Sequence, residues 1–178
     1  EARRANRICL VGLRGAGKST IGAMAGEALG IPFVELNRKI EDQSGMPVSE
    51  VLALYGQEGY RNLEAQAIER VIATYDTMIL AVAGGIVAEP ESYNSLLNNF
   101  HTVWLKTSPQ EHMSRVRAQG DERPMKDNPE AMEQLKSILT SREVLYERAL
   151  AKLETSNKTK EASLTEFLSL IQECGFLS

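Results

Sequence analysis

Short apolar runs and longer amphipathic ones alternate along the chain. Ile8-Cys9-Leu10-Val11, Ile31-Pro32-Phe33-Val34-Glu35-Leu36, Met78-Ile79-Leu80-Ala81-Val82 and Thr102-Val103-Trp104-Leu105 place apolar side chains at consecutive rather than alternating positions. Runs of that length predict strands buried on both faces, and a weaker run from Lys152 to Thr155 predicts a fifth. Helical patterns lie between them. One runs from Thr20 to Leu29, a short one opens at Pro47-Val48-Ser49-Glu50 and ends near Gly56, a longer one covers Glu58 to Tyr75, and another Glu91 to Leu97. Ser108-Pro109-Gln110-Glu111 supplies an N-cap, a first-turn proline and an acidic residue, which predicts a helix from Glu111 to Ala118. The last helix runs from Leu164 to Cys174. Strand and helix in alternation call for a parallel sheet covered on both faces, with the ligand at the carboxyl ends of the strands.

Two helical stripes carry charge where an apolar side chain is expected. Arg61, Glu64, Ile68, Ile72 and Tyr75 recur at spacings of three and four, so Arg61 and Glu64 continue an apolar face. Arg142 stands likewise among Met132, Leu135, Ile138, Leu139, Leu145, Tyr146 and Ala149. A charge at the end of a core-facing stripe points into a cleft or an ion pair. By contrast, Gly120 to Pro129 shows no periodicity, carries two prolines and is rich in charge, the composition of a lid over about residues 119–130.

The chemistry concentrates after the first strand. Gly12-Leu13-Arg14-Gly15-Ala16-Gly17-Lys18-Ser19 fits the phosphate-loop pattern G-x-x-x-x-G-K-[ST], between a buried strand and a helix beginning at Thr20, where such a loop must sit. Its glycines let backbone N–H groups turn toward a phosphate at the helix N-terminus. Lys18 adds a positive charge between phosphates, and the Ser19 hydroxyl suits Mg²⁺.

Composition narrows the rest. The 178 residues, 43% hydrophobic, suit one domain over 1–178 with a single core. A net charge of −4 argues against gripping nucleic acid through a basic face. Cys9 and Cys174 lie in apolar patterns and read as reduced core thiols of a cytoplasmic protein. No apolar stretch approaches the roughly 20 residues that span a bilayer, so no membrane partner is expected. Glu1 in place of Met suggests a domain excised from something longer. His101 and His112 read as structural.

With these residues in hand, the chain resembles shikimate kinase over nearly its whole length. The matching features are the phosphate loop, Pro32-Phe33, Tyr60-Arg61 with Glu64, Gly84-Gly85, Arg123-Pro124, and Arg142 with Tyr146. The resemblance implies a P-loop, nucleoside-monophosphate-kinase-like three-layer fold: five parallel strands ordered 2-3-1-4-5, with a lid. It implies ATP at residues 12–20, with Arg115 or Arg117 stacked on the adenine and Arg123 reaching from the lid to the phosphates, stabilising charge during transfer. Ser19 and Glu35 would serve Mg²⁺. Asn37, Arg61, Gly84, Gly85, Ile86 and Arg142 would bind the substrate, Arg61 and Arg142 holding a carboxylate. Two positions depart from the family pattern. Asn37 stands where an aspartate meets the hydroxyl to be phosphorylated, and a neutral amide cannot accept a proton. Ile86 replaces a glycine where backbone approaches substrate, which implies a reshaped, more apolar pocket.

A narrower resemblance accommodates Ile86, while aspartate is expected at position 37 there too, so Asn37 departs even from it. Val11 to Thr20, Leu54 to Arg61, Gly84-Gly85-Ile86-Val87 and His101 to Leu105 are similar to the shikimate-kinase-like effector domain of XRE-type, benzoyl-CoA-responsive regulators of benzoate degradation. This implies a sensor with degraded kinase chemistry, binding benzoyl-CoA or another CoA thioester. It would meet DNA only through a missing N-terminal helix-turn-helix domain and form a homodimer at full length. The alternative is an active shikimate kinase using ATP and Mg²⁺.

Overall fold

The computed structural model describes residues 3–13, 16–108 and 129–177. Five strands, β1 (Asn6–Val11), β2 (Phe33–Glu35), β3 (Thr77–Ala81), β4 (His101–Lys106) and β5 (Ala151–Glu154), form one sheet ordered β2-β3-β1-β4-β5. Every pairing is parallel. The expected sheet is therefore present strand for strand, with helices on both faces. The strands read as continuous apolar runs because successive residues feed two cores. Ile8 and Leu10 of β1 join Ile79, Val103 and Leu105 beneath α1 (Lys18–Leu29) and a C-terminal helix, Lys160–Cys174. Cys9 and Val11 join Met78, Leu80 and Trp104 on the opposite face. That face is covered by α2 (Leu36–Ser44), α3 (Val48–Thr74), α4 (Pro90–Asn99) and α5 (Pro129–Tyr146), which makes the C-terminal helix α6.

Three details differ from the pattern-based expectation. The second strand ends at Glu35, and the polar segment after it is helix α2, whose Leu36 and Ile40, four apart, are its buried positions. The two helices around Gly56 form one element, α3, broken by non-helical backbone at Gly56 (φ 72°, ψ −176°). Cys174 is exposed rather than a core thiol, because it is the last residue of α6, a turn beyond Ile171 where the covered part of the helix ends. The Gly120–Pro129 segment and the helix expected over 111–118 lie outside the described residues, apart from Pro129, which begins α5.

The amino edge of the sheet is tied by one side chain. Arg7, only 5% exposed, donates from Nε to the Asn99 carbonyl and from Nη1 to the Tyr75 carbonyl, both at 2.9 Å, and from Nη2 to the Arg3 carbonyl. A guanidinium thereby satisfies carbonyls at the C-terminal ends of α3 and α4, where a positive charge is favoured. The Arg7 side chain also stacks against Phe100, 5.6 Å from its ring centroid.

Candidate active site

The opposite, carboxyl edge opens into a cleft. β1 ends at Val11 and the chain turns at Gly12 with φ 149°, where an added Cβ would lie 2.6 Å from the Leu105 carbonyl oxygen. Only glycine fits there, so β4 packs directly against the phosphate loop. Ala16 donates its N–H to the Leu13 carbonyl at 3.1 Å, and Gly17 starts α1 in the left-handed region. Lys18 folds back on the loop, its Nζ donating to the Gly12 carbonyl and, at 3.3 Å, to that of Leu13. Burial lowers its pKa to about 8; the nearby Cys9 opposes that shift and Arg142 adds to it. Arg14 and Gly15 lie outside the described residues, as do Arg117 and Arg123.

The Ser19 hydroxyl donates to Glu35 Oε1. The two side chains assigned to Mg²⁺ thus meet, one from the first turn of α1 and one from the end of β2. A hydroxyl and a carboxylate are the hard oxygen donors this cation prefers, so the residues fit it. Asn37 follows in the first turn of α2, on the wall of the same cleft, which measures about 910 Å³.

Arg142 lines the far wall of the cleft, and Arg61 stands behind Gly85, lining a neighbouring pocket with Gln57 and Glu89. Arg61 is held by Glu64 (Nη1 to Oε1, 2.8 Å), with Glu89 Oε1 at 3.7 Å from its Nε. Glu64 is fully buried; burial raises its pKa, and the Arg61 guanidinium pulls against that rise. A methyl group placed on Gly85 would lie 3.1 Å from Arg61 Nη2 and 3.5 Å from Arg142 Nη2. Both guanidinium groups therefore flank the Gly85 backbone, as a two-armed grip on one carboxylate requires. The Tyr146 hydroxyl donates to the Gly84 carbonyl at 3.0 Å, joining the turn that carries Gly84 and Gly85 to the helix that carries Arg142.

Ile86 corrects the sequence reading. It is 0% exposed and packs in the core, while the cleft is walled by Ala81 to Gly85. The 3-10 turn Gly84–Ala88 rotates its side chain inward, so it makes the pocket no more apolar. The cleft also gains Arg38 and Glu41, which sequence reasoning missed; their three-residue spacing on α2 was the available signal. His101 is structural, its ring stacked on Phe176 and paired with the Ala5 carbonyl.

A phosphate loop at the end of the central strand, opening into a polar cleft that Arg142 also lines, defines a P-loop protein with the fold of a small kinase. The family model for shikimate kinase matches residues 14–172, and the chain belongs to that family. It is 32% identical to the shikimate kinase of Symbiobacterium thermophilum over 170 residues, covering 94% of this chain and 97% of that protein. The Thermus thermophilus enzyme is 29% identical, covering 93% and 90%. Among solved structures, shikimate kinase from Acinetobacter baumannii in complex with shikimate superposes with a TM-score of 0.81 at 25% identity, covering 94% of this chain and 93% of that one. The Bacteroides thetaiotaomicron enzyme gives 0.82, again at 25%, covering 93% and 98%.

These relatives overturn the sensor reading. The chain aligns nearly end to end with proteins named as shikimate kinases. The regulator assignment falls with it, together with the benzoyl-CoA or CoA thioester ligand. Among the described residues no helix is long and apolar enough to cross a membrane.

Proposed function

We propose that this chain transfers the γ-phosphoryl group of ATP to a hydroxyl of shikimate. The observation that carries the reading is the continuity of one cleft from Lys18, Ser19 and Thr20 to Gly85 and Arg142. That cleft offers phosphate binding at one end and carboxylate binding at the other. Lys18 leaves the Gly12 and Leu13 carbonyls for the phosphates, a charge-assisted contact stronger than the neutral ones it gives up. Ser19 and Glu35 would hold Mg²⁺, which neutralises charge on the phosphates when bound. Arg61 and Arg142 orient the acceptor by its carboxylate, and orientation is the larger part of catalysis for a loose phosphoryl-transfer transition state. By family resemblance Arg123 is assigned to the phosphates and Arg117 to the adenine of the nucleotide.

The test is ADP release by the purified chain with ATP, Mg²⁺ and shikimate. Release that depends on shikimate is expected, and Arg142→Ala should raise KM for shikimate roughly tenfold or more while leaving KM for ATP alone. ADP release indifferent to shikimate would overturn the reading.

A further inference from the structure

Asn37 lines the cleft at the position that the family resemblance gives to the phosphoryl acceptor, and here it is an amide. The Tyr60 hydroxyl donates to Asn37 Oδ1 at 2.7 Å. Tyr60 is itself only 5% exposed, and its ring lies under the Arg61 guanidinium, 5.2 Å from the ring centroid to Cζ. Arg61 is in turn pinned by the buried Glu64. The phenol is thus fixed on the ring side by the arginine that grips the substrate and on the hydroxyl side by the amide that faces it. Among the described residues nothing engages Asn37 Nδ2, and Asn37 lines the cleft.

We propose that Tyr60 is a positioning residue that turns the Asn37 amide so that its Nδ2–H₂ donor faces the substrate. Position 37 then holds the attacked hydroxyl through a lone pair of its oxygen instead of accepting its proton. The inference rests on the phosphotransferase reading above and adds to it how a chain without a carboxylate at this place handles its acceptor.

The Tyr60 hydroxyl takes one of the two lone pairs of the amide oxygen, which turns Oδ1 toward the phenol and leaves Nδ2 on the other side. The phenol keeps its proton at every working pH, because burial, aided by the negative charge of Glu64, pushes its pKa up to about 12. The phenol therefore keeps a proton to donate to Asn37 Oδ1 across that range. A hydroxyl that receives Nδ2–H on one lone pair is left with its other lone pair for phosphorus and its O–H directed elsewhere. As the new oxygen–phosphorus bond forms, the bond from phosphorus to the ADP oxygen breaks, and the hydroxyl proton passes to an oxygen of the transferred phosphoryl group. A loose transition state tolerates such a late proton transfer, since little charge builds on the attacking oxygen.

The experiment is a double-mutant cycle on the full chain with Tyr60→Phe, Asn37→Ala and both together. It is read by kcat, by KM for each substrate and by calorimetric affinity for shikimate. Tyr60→Phe should weaken shikimate binding about fivefold to tenfold, the worth of one neutral hydrogen bond, with KM for ATP unchanged. In the Asn37→Ala background the same substitution should do nothing. Equal losses in both backgrounds, or none in either, would overturn the proposal.

A second readout needs no substrate. In ¹⁵N-labelled protein the Asn37 Nδ2–H₂ group should be rigid in the wild type and mobile in Tyr60→Phe, and equal mobility in the two also overturns the proposal. A wild-type chain that releases no ADP with shikimate would sink the function reading alone, because the amide signals still decide on Tyr60.

Discussion

The Tyr146 hydroxyl reaches across 62 residues of sequence to the Gly84 carbonyl oxygen, 3.0 Å away. It is the link by which the helix carrying Arg142 is registered against the turn carrying Gly85. Tyr146 is fully buried and its ring stacks on Trp104 at 5.3 Å, so the ring keeps its place without the hydroxyl. Tyr146→Phe should cost about 1 kcal/mol of stability, from chemical denaturation, and should raise KM for shikimate more than KM for ATP. An unchanged KM for shikimate would mean that Arg142 does not depend on this link.

Lys18 sets a pH dependence. Its pKa in the folded chain, about 8, lies below the 10.5 of an unperturbed lysine. The unfolded chain therefore holds more protons between about pH 8 and 10.5, and Lys18's contribution to stability rises with pH across that window. A bound polyphosphate draws the proton back. Calorimetry at pH 8 in buffers of different ionisation enthalpy should show uptake of about half a proton per nucleotide bound, and Lys18→Ala should abolish it. Proton release on binding would contradict the assignment.

Asn37→Asp restores a proton acceptor. One carboxylate oxygen can keep the Tyr60 hydroxyl bond while the other faces the substrate. With shikimate, kcat should rise by about a hundredfold, the usual worth of a positioned base. A fall in kcat would show that the donor character of position 37 is itself required.

Ile86→Ala separates core from cleft. Deleting this fully buried side chain should cost about 2–5 kcal/mol of stability. KM for shikimate should stay unchanged, because the side chain faces the core. A KM effect as large as that of Arg142→Ala would return Ile86 to the pocket wall.

What the sequence makes legible is what is local or periodic. The phosphate loop is a contiguous motif, and the strand cores show as apolar runs because neighbouring residues such as Leu10 and Val11 fill different faces of the same sheet. Arg61 and Arg142 stand out because a charge interrupts a stripe. The direction of a side chain in an irregular turn is not legible in this way. Ile86 looks like a pocket residue by its place after two glycines, yet the 3-10 geometry of Gly84–Ala88 turns it to the core. Reading it as pocket lining, with Asn37 as a lost carboxylate, leads to an apolar sensor site. The Tyr60–Asn37 contact spans 23 positions and two helices, and no pattern along the chain announces it.

Arg7 ties the ends of α3 and α4 at the edge of the sheet farthest from the phosphate loop. Damage at the far edge is read in unfolding, and damage at the near edge in turnover and, where a tie such as that of Tyr146 to Gly84 is cut, in unfolding as well. An exchange such as aspartate for asparagine at position 37 leaves the fastening at the base as it was, so the acceptor end of the cleft can change while the far end goes on holding the sheet.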